Sequence, residues 1–179
     1  MLANGPGGWV HVAMMITTGL LTVIGVAGLR GAIPRASAIG LTIYGLGVLV
    51  AGLMTADPVA GFPPGTPTGP PTSISWHGLG HFIAGGIGFL GLIVACLVLA
   101  RRFQRDGNPR WALFSLITGV LYFASFVGIG ASGGQVALNL AFTVAVILGW
   151  TWFTLLTLRV RSGTVTTSTT NRAAEPQLS

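Results

Sequence analysis

The chain is 179 residues long, 51% hydrophobic and only 7% charged, with a mean hydropathy of +0.79. A water-soluble domain of this size carries roughly 25% charged residues to hold its surface in solvent, so that class is excluded. The +6 net charge comes from nine arginines against three acids, with no lysine. These arginines are spread over short connections between apolar runs, a pattern of membrane topology and not of nucleic-acid binding.

Five apolar runs, Trp9–Leu29, Ser37–Ala56, Trp76–Ala100, Trp111–Gly130 and Gln135–Leu158, contain no charged residue. At ~1.5 Å rise per residue each approaches or exceeds the ~30 Å hydrocarbon thickness. Lipid offers backbone groups no partner, which restricts such segments to helices or strands of a closed barrel. Barrel strands alternate in polarity over roughly 10 residues, and runs such as Leu90–Ala100 do not alternate. The expected architecture is an all-α, polytopic bundle over residues 1–161. A polar, non-periodic tail over 162–179 is expected to be disordered in the cytoplasm.

The first run has no basic residue before it and is longer than the ~7–15 residues of a signal core, so it reads as a retained span. It is followed by Arg30 and Arg35. The second run ends at Asp57-Pro58, where proline disfavours further helix. The connection from Asp57 to Ser75 contains six prolines, three glycines and no charge but Asp57. It is either folded over the mouth of the bundle or a stiff tether. The third run opens with His77-x-x-x-His81, two imidazoles on one helix face. At ~100° per residue that face continues through Ala84, Gly88, Gly91 and Ala95 and is expected to pack on neighbouring helices. Cys96, the lone cysteine, reads as a small packing residue. After this run come Arg101, Arg102, Arg105 and Arg110, and after the fifth come Arg159, Arg161 and Arg172. The second and fourth connections hold no basic residue, so the positive-inside rule places the N-terminus outside and the C-terminus in the cytoplasm.

Under that topology all three histidines and one acid share the outer membrane level: His11, Asp57, His77 and His81, with Gln135 and Asn139 nearby. Ionisable groups at membrane depth are costly and point to a site. Two imidazoles one turn apart, with Asp57 or His11, could hold zinc with an open position for water. Histidines on separate helices could instead ligate haem, or the cluster could move protons. The simplest reading is a hydrogen-bonded network tying the proline-rich loop to the bundle. H-x-x-x-H without an intervening glutamate is a weak zinc-hydrolase signature. Ser73 and Ser75 near His77 would need a base oriented by a third group to act as nucleophiles. Trp9, Trp76 and Trp111 at span ends read as interfacial anchors.

The run Asp57-Pro58, Gly61-Phe62-Pro63-Pro64-Gly65, Thr72 and His77-Gly78 with His81 resembles the DUF998 family of bacterial integral membrane proteins. Gly8-Trp9, Arg30 and Ala100-Arg101-Arg102-Phe103 are similar as well, and the resemblance covers roughly residues 7–160. It implies a multi-helix protein of a bacterial inner membrane with uncharacterised activity, and supplies no substrate, cofactor or catalytic residue. Members usually carry one more helix ahead of the first span. The chain therefore corresponds either to a six-span fold without its first helix or to a five-span form. The leading expectation is a multi-pass protein, embedded in the bilayer, with a His/Asp binding or structural site on its outer face. The alternatives are a metal-dependent lipid hydrolase, and a haem-binding or small-solute or proton transport module.

Overall fold

An apolar run without internal proline continues as helix until a breaker or cap interrupts it. In the computed structural model, which describes residues 2–59, 61–68, 73–132 and 135–163, this gives a short 3-10 helix, Leu2–Asn4, and five long helices. These are α1 (Gly8–Leu29), α2 (Arg35–Leu53), α3 (Trp76–Arg105), α4 (Pro109–Ser132) and α5 (Val136–Arg161). All five are long and apolar enough to cross a membrane, and the described residues form no strand. The all-α bundle expected from the sequence is the architecture found. The tail from residue 164 onward, with Gly133 and Gly134 of the fourth connection, lies outside the described residues.

The ends follow local chemistry. The turn after α1 needs the left-handed backbone of Gly31 (φ 87°), and Pro34 sets the entry to α2. Pro109 occupies the first position of α4, where its missing N–H costs nothing. α3 continues past Ala100 to Arg105, because Arg102 and Arg105 in its last turn suit the negative end of the helix dipole. α2 stops at Leu53, short of Ala56, where Met54 turns extended (φ −103°, ψ 96°).

Helices in lipid gain nothing from hydrophobic association, so close packing must come from small residues. α3 lies between α2 and α4; α1 flanks α2, and α5 flanks α4. The tightest seam joins α2 to α3. A Cβ on Gly40 would lie 2.5 Å from the Gly91 carbonyl oxygen, and one on Gly47 would lie 2.6 Å from that of Ala84. Gly88, Gly91 and Ala95 are all buried in this seam. Ser37 closes it by donating to the Ala95 carbonyl at 3.4 Å. Cys96 is fully buried against Gly119 of α4.

Several polar groups inside the bundle find partners there. The Trp150 indole N–H donates to the Tyr44 hydroxyl at 2.8 Å, joining α5 to α2, and Trp152 donates to Ser115 at 2.9 Å, joining α5 to α4. Thr22, Thr42, Thr118 and Thr157 each donate to the carbonyl one turn earlier in their own helix. At the arginine end, Arg159 lies over the Trp111 ring at 4.8 Å and donates to Asn108 at 3.1 Å, fastening α5 to the α3–α4 turn. Trp111 is thus a cation–π partner as well as a residue at a span end. Large apolar side chains such as Ile24, Phe82 and Leu140 remain exposed on the outer faces, as lipid contact requires.

A side chain in the α2–α3 seam must push backbone from backbone. Gly91→Leu is expected to lower stability by about 3 kcal/mol or more, the upper range for overpacking. Ile87→Phe, on the exposed face of the same helix, should stay within about 0.5 kcal/mol. Thermal melts in detergent followed by helical circular dichroism will compare the two.

Candidate functional site

The arginine-free end is organised by the two helix termini that meet there. The last carbonyls of α2 have no intrahelical donor, and the first amides of α3 have no intrahelical acceptor. His81, one turn into α3, answers the first need. Its Nδ1 lies 2.8 Å from the Ala51 carbonyl oxygen and 2.8 Å from that of Met54. Carbonyls only accept, so Nδ1 carries the proton, and Nε2 is the ring's remaining nitrogen for any other partner.

Ser75 answers the second. Its hydroxyl accepts from the Gly78 N–H at 3.0 Å, capping α3, and donates to the Asp57 carboxylate at 2.5 Å. The Ser75 N–H donates to the other Asp57 oxygen at 2.8 Å. Asp57 thereby closes the loop at its base and sets a negative charge at the positive end of α3. A side chain at residue 78 would collide with the Asp57 carboxylate, so the cap also requires Gly78. The Ser75 hydroxyl, then the Ser75 N–H, hold the Asp57 carboxyl below its ordinary value near 3.8 against a small desolvation cost, and His77 adds a weaker pull.

The loop between these ends is folded on itself. Gly61 donates to the Pro67 carbonyl at 3.2 Å, Thr66 donates to Pro63 at 3.0 Å, and Val59 and Phe62 exchange backbone bonds. Gly61 (φ 77°) and Gly65 (φ 96°) supply the left-handed turns. Asn4 donates to the Ala56 carbonyl at 2.8 Å and binds the N-terminal segment to the loop base. Thr72, with Gly69, Pro70 and Pro71, lies outside the described residues.

The sequence-derived candidates therefore divide. Asp57 and His81 both lie at the α2–α3 joint, each occupied by backbone or hydroxyl groups. His11 on α1 is half-buried. His77 is exposed, its ring against that of Trp76 at 3.5 Å between centroids and tilted by 52°. The expectation that both imidazoles turn toward neighbouring helices is corrected for His77. It shares the helical phase of His81 but lies one turn, ~5.4 Å, nearer the helix start, beyond the end of α2. Asn139 donates to the Gln135 carbonyl at 3.1 Å at the start of α5. Ser75 as a cap was legible in the sequence, since a serine directly before an apolar helical run is an N-cap signal. Nothing in the sequence marks Asn4.

This arrangement limits the chemistry. No group of three His, Cys, Asp or Glu side chains among the described residues is placed to hold a metal ion. A serine nucleophile must give its proton to a base such as imidazole, whereas Ser75 gives its proton to Asp57. Asp57 and His81 instead bind the protein's own helix ends.

A bundle of five apolar helices with a capped joint at one end is a multi-pass α-helical membrane protein. The chain belongs to the DUF998 family, proteins of unknown function, whose family model matches residues 1–159. No match is found among curated proteins or among solved structures.

Removing the His81 ring leaves two part-buried carbonyls without that donor, so His81→Ala should cost about 1 kcal/mol or more, read from thermal melts. For Asp57 the folded-state pKa is the lower one, so the native latch binds fewer protons than the unfolded chain. Its contribution is full above the ordinary carboxylate value and is lost as pH falls through the lowered one. Amide exchange at Ser75 and Gly78 is therefore expected to stay protected from about pH 7 to about pH 5. In Asp57→Asn that protection falls throughout this window.

Proposed function

We propose that this protein is a membrane module of a bacterial inner membrane, with its N-terminus outside and its C-terminus in the cytoplasm. Its arginine-free end then forms a rigid extracytoplasmic binding platform. The observation that carries this reading is the sharing of one His81 nitrogen by the Ala51 and Met54 carbonyls, beside the Asp57–Ser75 latch. Groups joined in this way hold a loop in one conformation, and pre-organisation of a loop lowers the entropy cost of binding. Around the latch stand exposed Trp9, Ile74 and Trp76, with His77 beside them. Aromatic groups of this kind both anchor a protein at the membrane interface and supply contact surface for a partner. The segregation of arginines supports the orientation.

Two measurements test the reading. A reporter that fluoresces only in the cytoplasm, fused at Gly65, is expected to stay dark, and fluorescence there overturns the orientation. Protein purified from membranes is expected to carry sub-stoichiometric zinc and no Soret band. Stoichiometric zinc retained in wild type and lost in His81→Ala would replace the platform with a metal site, and a Soret band would replace it with a haem site.

A further inference from the structure

At the opposite end of the bundle the α1–α2 hairpin encloses a second feature. α1 and α2 are locked together at mid-span, where a Cβ on Gly19 would lie 2.6 Å from the Gly45 carbonyl oxygen. Between the end of α1 and the start of α2 a cavity of about 580 Å³ opens, within the range of ligand sites. Val26, Ala38, Ile39 and Ile43 give it apolar walls, and Arg30 and Arg35 stand at its end. Arg35, Ile39 and Ile43 are spaced four apart, so they form one stripe along α2. Ile39 is 50% and Ile43 37% exposed, so the stripe opens to lipid and not to the bundle interior.

Among the described residues no carboxylate compensates the charge at the mouth. Asp106 pairs with Arg102 at 2.6 Å, and Asp57 is held by Ser75 at the other end, so no carboxylate among the described residues meets Arg30 or Arg35. The first amides of α2 point to the same place without a side-chain cap, since Pro34 precedes them, and they add the positive end of a helix dipole. Two guanidinium groups at the rim of a lipid-open apolar groove complement an amphiphile with an anionic head. Arginine's planar fork matches phosphate oxygens in pairs. Arg102 and Arg159 are engaged elsewhere: Arg102 is ion-paired, and Arg159 lies over the Trp111 ring.

We infer that the α1–α2 groove binds an anionic glycerophospholipid, its phosphate on Arg30 and Arg35 and an acyl chain along Ile39 and Ile43. The site is independent of the platform at the other end. Native mass spectrometry of the detergent-purified full chain tests it, with phosphatidylglycerol and phosphatidylcholine of equal chain length as probes. Wild type is expected to retain one phosphatidylglycerol at least tenfold more tightly than phosphatidylcholine. The double variant Arg30→Gln/Arg35→Gln should lose that preference. Arg101→Gln/Arg105→Gln, with the same change in charge at the end of α3, should keep it. Ile43→Trp, which fills the groove and leaves both arginines, should weaken retention at least tenfold and reads the same site if the double glutamine variant fails to fold. Equal preference in Arg30→Gln/Arg35→Gln and wild type overturns the proposal. So does water-soluble glycerol phosphate displacing the lipid at equal concentration, which would assign the arginines to a free phosphate.

Discussion

The glycine seam between α2 and α3 is the contact on which the rest depends. Gly40 against Gly91 and Gly47 against the Ala84 carbonyl bring the two backbones together without intervening side chains. Only at that separation can the short arm of His81 reach back to the last carbonyls of α2. Once those carbonyls are satisfied, α2 can end at Leu53 at the membrane surface, and the chain leaves it in position for Asp57 to meet Ser75. Packing in the membrane and order in the loop are thus one mechanical system. Van der Waals contact along the seam positions polar groups at its end, and those groups hold the loop.

The same logic governs polar groups at depth. Hydrocarbon supplies no hydrogen bonds, so each hydroxyl or indole in the bundle needs an internal partner. Threonines find theirs within their own helix and constrain nothing else. Trp150 and Trp152 find theirs on α2 and α4, and so determine where α5 lies although little of its surface is buried. Arg159 does the same at the arginine end through Asn108 and Trp111. The peripheral helix is held by a few directional contacts, the central helices by continuous close packing.

The two ends differ in what their polar groups face. At the arginine-free end Asp57 and the half-buried His81 are directed at the protein's own helix termini, which leaves the surface there to aromatic and apolar side chains. At the arginine end several guanidinium groups project outward with few carboxylates to meet them. A surface of this kind is complementary in charge to anionic lipid head groups.

Spans, their number and the helical character of the bundle were legible in the sequence, because an uncharged apolar run in lipid has one low-energy conformation and needs no knowledge of its neighbours. The small-residue stripe on α3 was legible for the same reason: helical phase alone assigns Gly88, Gly91 and Ala95 to one face. Phase could not say which helix they would meet, nor that His77 would lie beyond the end of that helix while His81 lay beside it. The pairings Asp57–Ser75, Asn4–Ala56, Trp150–Tyr44 and Arg159–Asn108 depend on how helices distant in sequence are placed side by side. The sequence by itself determined which segments enter the membrane and which groups would be costly there. Only the tertiary structure decided how each costly group was satisfied, because a hydrogen bond needs its two atoms within about 3 Å, and that distance is fixed by packing.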